Sequence, residues 1–367
     1  MSVTAPSSTR DTDGLYLELV DADPLPTGLA REWARIQGQS PELGHPMLSA
    51  EFVQCIARHR SDVQVGVIRS GPAVVGFFPF QREQAGTGRP VGYRLNDVQG
   101  AVLAPGALVD ARWLLRECQL SVWHFDHLIP SQPDFEQGRF LVEDSPYIDL
   151  SHGLDAYLAD IADRSRWKSH TRNEQRLARD VGPVRFEFHT TDSDAFRSLI
   201  AWKSAQVRQH GRRCVFDWPW VRGVLEDLRG VEDPMCAGTL AALYAGGELA
   251  AVHFGVRSRE VLHWWITAYN HDLRMYSPGM ILLARVIEEA PASGLNRIDL
   301  GKGVEPYKSK LQSGAVPLAS GALCRSAWCG LIQRARYTLQ EQVRSSPLGA
   351  PARKLAYWFE AWVNRGR

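Results

Sequence analysis

The order of hydrophobic patterns between residues 184 and 301 limits the fold of this chain more than any other feature. Apolar alternation predicts strands over 184–189, 239–245, 248–256, 261–269 and 297–301, and helical spacing predicts helices over 194–210 and 218–228 and from Ser277 onward. Gly246 and Gly247 separate two of these strands as a two-residue hairpin turn would. The second half is therefore predicted to run strand, two helices, three-stranded antiparallel meander, helix, strand.

The first half repeats this order more loosely. Strand patterns fall at 15–20, 63–69, 73–80, 97–103 and 122–129, and helical patterns fall near 27–37, 48–59 and 109–119. We interpret the repetition as an internal duplication of topology. The predicted fold class is α/β (α+β), with two tandem folds that each hold a mixed, mostly antiparallel sheet flanked by helices. The folds would occupy residues 15–150 and 151–325, with a flexible tail at 1–14 and a helical extension at 326–367.

Composition removes several classes of protein. The 367 residues include 42 Lys and Arg against 41 Asp and Glu, so no global charge recruits nucleic acid or a membrane. The apolar runs are far shorter than the roughly 20 residues of a membrane-spanning helix. The polar N-terminus lacks the pattern of a signal peptide, and the six cysteines show no disulfide framework. We expect a cytoplasmic protein.

Two basic segments depart from this neutral average. Residues 164–185 hold seven Arg or Lys on a predicted helix, which is either a solvated face or a binding surface. The last helix, at 353–367, carries a stripe of Leu355, Trp358, Phe359, Trp362 and Val363. Packing against the protein itself is one interpretation of the stripe. The other is peripheral contact with the inner face of a membrane or with a biosynthetic complex.

The start of the helix near residue 278 is a candidate phosphate site. The run Tyr276-Ser277-Pro278-Gly279 places Ser at the N-cap and Pro in the first turn. A helix start exposes unpaired N–H groups and the positive end of the dipole, and Arg274 can add charge. We therefore take Arg274, Ser277, Gly279 and Met280 as candidates for binding a phosphate-bearing co-substrate. Many helices with such a start bind nothing, which is the alternative.

The segment 299–308 follows a strand end and concentrates chemically active groups. Asp299 or Glu305 is the candidate base, and Tyr307 or Tyr276 is the candidate acid. Lys302 and Lys308 are candidates for holding phosphate groups. Gly301 and Gly303 permit close approach of a ligand, whereas the alternative is a charged loop before a capped helix.

The histidines of the meander do not form a predicted metal pair. If Val256 pairs with Val261, His253 faces Trp264 and the two imidazoles of His253 and His263 point to opposite faces of the sheet. No zinc-ligand spacing occurs elsewhere, so we predict no metal. His253 and Trp264 either line a substrate cleft or belong to a hydrogen-bonded core.

Taken together, these motifs resemble the GCN5-related N-acetyltransferase (GNAT) superfamily. Within it, the similarity is to CelD/BcsL-type acetyltransferases of cellulose and exopolysaccharide biosynthesis, relatives of the FemAB-like aminoacyl transferases. It covers residues 15–325 and rests on the runs 276–279, 299–308, 96–100 and 125–128 and on the basic helix at 164–179.

The resemblance implies two tandem GNAT-like folds, a degenerate first copy and a second copy that holds the donor, acyl-CoA. It also implies Asp97, Gln99 and Arg172 as residues that bind the acceptor. Our leading hypothesis is direct transfer of an acyl group, taken as acetyl, to an amino group of a sugar or lipid-sugar precursor. The alternatives are aminoacyl transfer from aminoacyl-tRNA, based on segment 164–185, and a non-catalytic scaffold protein of a polysaccharide-synthesis complex.

Overall fold

A computed structural model describes residues 14–161, 164–209, 211, 214–303 and 305–345. Its strands are β1 (Leu15–Asp21), β2 (Val63–Ser70), β3 (Ala73–Arg82), β4 (Thr87–Arg89), β5 (Val102–Leu103), β6 (Val122–Leu128), β7 (Arg139–Asp149), β8 (Val184–Glu187), β9 (Glu232–Asp233), β10 (Cys236–Ala245), β11 (Glu248–Arg257), β12 (Val261–Tyr269), β13 (Arg297–Asp299) and β14 (Gly314–Cys324). Its helices are α1 (Thr27–Gln37), α2 (Ala50–Ala57), α3 (Ala111–Glu117), α4 (Gly153–Asp160), α5 (Arg164–Asp180), α6 (Ser193–Gln209), α7 (Pro219–Arg229), α8 (Pro278–Glu289), α9 (Lys308–Leu311) and α10 (Ala327–Ser345).

Short 3-10 helices occupy several of the connections. They are Pro41–Leu43, Pro46–Leu48, Gln84–Gly86, Tyr93–Leu95, Pro133–Gly138, Val215–Asp217, His271–Tyr276 and Pro291–Ser293. Nearly all of the predicted tail and the apolar stripe at 353–367 lie outside the described residues. In the part of the chain that is described, no helix combines the length and the apolarity needed to cross a membrane.

The strands of both halves join in one sheet. Its order is β1-β2-β3-β4-β6-β14-β7-β13-β12-β11-β10-β8, with β5 beside β3 and β9 beside β10. The pairs β4·β6 and β12·β13 are parallel, and the other strand pairs are antiparallel. Helices cover the faces of this mixed sheet. The predicted α/β class, with a mostly antiparallel sheet, is confirmed.

The two halves exchange strands at the centre of the sheet. Strand β14 from the second half lies between β6 and β7 of the first, and β7 in turn pairs with β13. Sequence patterns did not predict strands at 139–149 or 314–324, so this exchange was missed. The boundary proposed near residue 150 stays a prediction, but the sheet runs through it without a break.

One of the three apolar cores also crosses between the halves. Trp33, Phe52 and Phe77 from the first half belong to the same buried cluster as Phe196 and Phe254 from the second. Aromatic side chains of this size contribute a large share of the apolar area removed from water. The halves are therefore held together by a common core as well as by shared strands.

The β10–β11 hairpin has the predicted turn. Gly246 and Gly247 have φ of +59° and +89°, as a type I′ turn requires, and Ala245 pairs with Glu248.

The predicted register between β11 and β12 is wrong. Val256 pairs with His263 because the turn already places Arg257 opposite Leu262, and a further shift between Phe254 and Val256 then pairs His253 with Thr267. A Cβ at the intervening Gly255 would lie 2.3 Å from the His263 carbonyl oxygen, so only glycine permits this close approach. The two imidazoles still lie on opposite faces of the sheet, as predicted: His253 stacks on Trp264, whereas His263 packs near His45.

Candidate functional site

The start of α8 lies at the end of β12 and has no side-chain cap. Ser277 occupies the N-cap position as predicted, but its φ of +54° is left-handed and its hydroxyl makes no capping hydrogen bond. A Cβ on Gly279 would lie 3.5 Å from Cδ1 of Tyr269, which places this turn over the last residue of β12. Arg274 is exposed just before the turn. Helix-start N–H groups without a side-chain acceptor are suited to binding an anion.

The equivalent helix of the first half differs at this point. At the start of α3, the Asp110 carboxylate accepts a hydrogen bond of 2.7 Å from the Trp113 backbone N–H. A negatively charged side chain therefore already occupies the place that a phosphate would take. This contrast supports a donor site in the second half alone.

Helix α5 brings its positive charges to the start of α8. The Arg176 guanidinium lies 5.6 Å from the centroid of the Tyr276 ring, and the Tyr276 hydroxyl donates to Asp180 at 3.2 Å. Arg172 is exposed one turn before Arg176, so the two side chains share a face of the helix. The predicted acceptor residue Arg172 thus lies on the helix that borders the candidate phosphate site.

The loop between β13 and α9 folds back on itself around one lysine. The buried Lys308 ammonium donates to the carbonyl oxygens of Gly301 at 3.1 Å and Lys302 at 3.0 Å, and it pairs with Glu305 at 3.0 Å. Gly301 has φ of +69°, and its N–H donates to Asp299. These contacts occupy Lys308 within the loop, so the loop rather than a ligand is its observed partner.

Lys302 connects the same loop to the first half. Its ammonium donates to the Asp126 carbonyl oxygen at 2.6 Å and to the Glu143 carboxylate at 2.9 Å. The predicted phosphate-binding lysine is thereby bonded to β6 and β7. It fixes the 299–308 loop against the strands exchanged between the halves.

Glu305 is exposed on the loop, whereas Tyr307 is partly buried and packs against an apolar core. Burial acts to raise the pKa of Glu305, but its hydrogen bonds and the charges of Lys308 and Lys203 outweigh burial and hold the pKa below its usual range. Burial raises the pKa of Tyr307 to about 12, and a hydrogen bond with Trp264 acts in the opposite direction. The Tyr307 phenol is therefore protonated at neutral pH and can serve as a proton donor.

Where the loop meets the first half, Asp97 and His263 form a hydrogen-bonded pair. His263 Nε2 lies 3.1 Å from Asp97 Oδ2, and the His263 side chain is 1% exposed whereas that of Asp97 is 28% exposed. Burial acts to raise the pKa of Asp97, but the hydrogen bond and charge of His263, together with the charge of His127, hold it below its usual range. An ionised Asp97 requires the proton of a neutral His263 to be on Nε2.

A second His–Asp pair stands beside the first, and one glutamine orients it. His127 Nδ1 lies 2.9 Å from Asp126 Oδ1, and His127 Nε2 lies 3.8 Å from Asp97 Oδ1. Gln99 donates to Asp126 at 2.7 Å and accepts from the backbone N–H groups of Asp126 and His127. Because Asp126 accepts the Nδ1 proton, the lone pair of a neutral His127 is on Nε2 and is directed toward Asp97.

Behind these pairs, His45, His263 and Asp299 converge in the interior. Each imidazole places a nitrogen 4.0 Å from an Asp299 oxygen, and all three donor atoms lie within 4.8 Å of one another. His45 Nδ1 accepts the Met47 backbone N–H, so its proton is on Nε2, the atom that a metal ion would need unprotonated. Arg297 adds a positive charge 3.3 Å from Asp299. The proton on His45 Nε2 and the charge of Arg297 therefore argue against a cation at this donor set.

His253 lies away from this cluster, in the core on the other face of the sheet. Its ring stacks on Trp264 with centroids 3.7 Å apart, and its Nε2 accepts the Trp265 backbone N–H at 3.1 Å. The side chain is fully buried. Of the two interpretations from the sequence, the geometry corresponds to the hydrogen-bonded core.

The predicted residues thus fall into two groups. Asp97, Gln99, Asp299 and Lys302 meet where the halves join, whereas Arg172, Arg274, Tyr276, Ser277, Gly279 and Met280 lie at or beside the start of α8. Sequence reasoning missed the roles of His45, Asp126, His127, Lys203 and His263 in these surroundings. The only signal was the position of Asp126 and His127 at the end of a predicted strand, because no local pattern links residues so far apart along the chain.

The comparison with protein families identifies the second half. Residues 165–309 match a family described as an acetyltransferase (GNAT) domain. The matched range includes α5, the start of α8 and the loop that holds Lys308. No curated protein matches the sequence significantly.

Solved structures share the fold over most of the chain. FemX is similar with a TM-score of 0.58 and 11% identity, covering 86% of this chain and 100% of FemX. L-PGS from Bacillus licheniformis is similar with a TM-score of 0.55 and 10% identity, covering 87% of this chain and 96% of L-PGS. The C-terminal domain of a putative lysylphosphatidylglycerol synthetase from Agrobacterium fabrum has a TM-score of 0.51 and 13% identity. The match covers 87% of this chain and 97% of that domain. These likenesses show the fold.

The match of residues 165–309 to an acetyltransferase (GNAT) domain supports the prediction that the chain is an acyltransferase. Such a domain implies an acyl-CoA co-substrate. The narrower similarity to cellulose-biosynthesis enzymes of the CelD/BcsL type stays a prediction.

Proposed function

From this acyltransferase domain, we propose that the chain moves an acyl group, in the simplest case acetyl, from acyl-CoA directly to an amino group of a sugar or lipid-linked sugar. The observation that carries the proposal is the uncapped start of α8 beside the arginines of α5. The backbone N–H of Gly279 would bind the donor's pyrophosphate, with Arg274 and Arg176 adding positive charge, whereas the Met280 N–H already donates to the Ser277 carbonyl oxygen at 2.9 Å.

A path for the acyl arm of the donor follows from the geometry of β12. Residues Val261 to His263 of β12 pair with Arg297 to Asp299 of β13, and the pairing of these two strands ends there. From His263 to Tyr269, β12 continues for about 20 Å at roughly 3.3 Å per residue. An extended acyl arm that starts at the α8 turn and follows this opening brings the thioester near His263, where the two halves meet.

The reaction needs a proton acceptor for the amine and a proton donor for the leaving thiolate. Tyr307 supports the second role, because its phenol is protonated at neutral pH and it stands on the loop beside Trp264. Asp299 is 4% exposed and its oxygens are engaged by Gly301 and Arg297, which favours a positioning role. Glu305 is exposed but paired with Lys308.

The proposal is tested by following both products of transfer. The protein is incubated with acetyl-CoA and glucosamine, and free thiol and N-acetylated sugar are measured together. We expect one thiol for each amide formed, and a turnover about 100-fold lower in Tyr307→Phe. Tyr16→Phe, on an exposed tyrosine of β1, is the matched control and should retain turnover. Thiol release without amide would contradict transfer to an amine.

The exposed arginines of α5 favour a second candidate function, aminoacyl transfer from a charged tRNA. Arg172, Arg176 and Arg179 are all exposed on this helix. Binding to a tRNA backbone would weaken steeply with salt, because each phosphate contact releases counterions. Tight, salt-dependent binding of aminoacyl-tRNA together with undetectable binding of acetyl-CoA would replace the first proposal with this one.

A further inference from the structure

The two His–Asp pairs at the junction of the halves bring two carboxylates to one histidine. Asp97 and Asp126 approach the single imidazole of His127 from opposite sides, at 3.8 Å and 2.9 Å. Lys302 donates here to the carbonyl oxygen of Asp126 and to Glu143, not to these two carboxylates. Two ionised carboxylates flank one histidine at a partly exposed position.

We propose that this cluster binds the protonated primary amine of the acceptor between Asp97 and His127, and that His127 is the catalytic base. This inference rests on the proposed function and names the acceptor as a cationic amine. The chemistry of the two groups supports this site. The Asp97 carboxylate and the His127 lone pair offer two hydrogen-bond acceptors, and an ammonium ion has three N–H donors. A neutral hydroxyl acceptor would gain nothing from the charge of Asp97.

Each neighbour of His127 has a defined part in this arrangement. Asp126 accepts the Nδ1 proton and leaves Nε2 as the basic atom, as the acid of a catalytic triad does for its histidine. Gln99 holds both residues through their backbone N–H groups and the Asp126 carboxylate. Asp126 and Gln99 are therefore positioning residues.

Asp97 is held in place for the ammonium ion by His263, whose Nε2–H donates to Asp97 Oδ2 at 3.1 Å. His263 thus occupies one Asp97 oxygen and leaves the other, which faces His127, for a ligand.

The transfer step balances with these groups. The bound ammonium gives one proton to His127 Nε2, and the neutral nitrogen attacks the thioester carbonyl. A carbon–nitrogen bond forms, the carbon–sulfur bond breaks, and the electron pair leaves with the sulfur. Tyr307 gives its proton to the leaving thiolate and regains one as the nitrogen loses its second proton, and His127 returns its proton to solvent.

The position of the pair relative to the donor path agrees with this step. A Cβ on Gly301 would lie 3.5 Å from His263 Cε1 and 3.9 Å from Asp97 Oδ2, so the loop that follows β13 borders the cluster directly. His263 is also the last residue of β12 that pairs with β13. The acceptor amine would therefore stand where the opening between the strands begins.

Binding selectivity tests the ammonium site without any need for turnover. Glucosamine and N-acetylglucosamine are titrated into the full-length protein by calorimetry, since they differ in the charged amine. We expect glucosamine to bind at least tenfold more tightly, and this preference to disappear in Asp97→Asn. Equal or undetectable binding of both sugars, or an unchanged preference in Asp97→Asn, overturns the ammonium site.

Turnover and rescue test the base. In His127→Ala, thiol release from acetyl-CoA with glucosamine should fall about 100-fold in kcat with acetyl-CoA affinity unchanged, and added imidazole should restore part of it. His124→Ala, three residues earlier on the same strand, is the control and should retain the rate. Wild-type turnover in His127→Ala overturns the base, and so does a loss of rate that imidazole cannot rescue.

Failure of the proposed function and failure of the ammonium site give different experimental results. If acetyl-CoA does not bind, the proposed donor is wrong, but the preference for glucosamine can still be measured. If acetyl-CoA binds and is turned over but the charged sugar has no advantage, only the present inference fails.

Discussion

His263 on β12 donates a hydrogen bond to Asp97 at 3.1 Å, although the two residues are 166 positions apart. The pair joins the first half of the chain to the strand that leads to the start of α8. It places an ionised carboxylate where the shared centre of the sheet meets solvent. In our proposal, the acceptor side of the site is therefore built by both halves, whereas the donor side belongs to the second.

Replacement of Asp97 should alter the dependence of stability on pH. A carboxyl group whose folded pKa lies below its unfolded pKa stabilises the protein above the unfolded pKa, and this contribution is lost as pH falls through the folded pKa. The difference in unfolding free energy between the wild type and Asp97→Asn should be largest at neutral pH and should narrow below about pH 4. Urea denaturation at a series of pH values measures it, and a difference that does not vary with pH would contradict the account.

His124 should lower the unfolding free energy in acid at a higher pH than the Asp97 carboxyl group does. Burial lowers the pKa of His124 to about 4, with smaller effects from Arg89 and Arg336. Because the unfolded chain then binds more protons, stability is lost as pH falls from about 6.5 to about 4, by up to about 3 kcal/mol. His124→Gln should lose less stability over this window. Parallel stability curves for the two proteins would show that His124 is not held neutral.

The two lysines of α9 should differ in how much they contribute to stability. Lys308→Met leaves the carbonyl oxygens of Gly301 and Lys302 without their donor, which should cost about 2 kcal/mol. The ammonium of Lys310 has no hydrogen-bond partner within the described ranges, so Lys310→Met should cost almost nothing. Thermal unfolding of the two variants makes the comparison, and equal melting temperatures would contradict the loop contacts.

The two helix starts predict opposite responses to the loss of a polar side chain. Asp110→Ala removes the cap of α3 and should lower the unfolding free energy by about 1 kcal/mol. Ser277→Ala at α8 should leave it nearly unchanged, because the Ser277 hydroxyl makes no capping bond. A comparable loss in both variants would mean that the start of α8 is capped in solution and is less available to an anion.

Local patterns predicted much of this fold. The β10–β11 hairpin followed from the Gly246-Gly247 pair, and the start of α8 followed from Ser277-Pro278, because turns and helix ends are set by neighbouring residues. The exchange of β7 and β14 could not be predicted in the same way. Its strand pairing depends on residues such as Tyr147 and Gly314, which meet only in the folded chain.

The same limit applied to the site. Chemistry-bearing residues on one loop, such as Asp299 and Lys308, were found together, but their hydrogen bonds were not foreseen. His263 was compared only with His253, whereas its hydrogen-bond partner is Asp97, from the other half of the chain. The register prediction for β11 and β12 failed first at the turn, where Arg257 pairs with Leu262, and the shift beside Gly255 moved the pairing by one more residue.

The central claim is that an acyl-CoA donor binds at the start of α8. Calorimetric titration of acetyl-CoA into the wild type should give one site with micromolar affinity. Gly279→Trp should abolish the heat of binding, because the indole would fill the approach to the first turn. Gly28→Trp, at the second position of α1 where a Cβ has no atom within 4 Å, is the matched control and should bind as the wild type does. Undiminished binding in Gly279→Trp, or no binding to the folded wild type, would contradict the account.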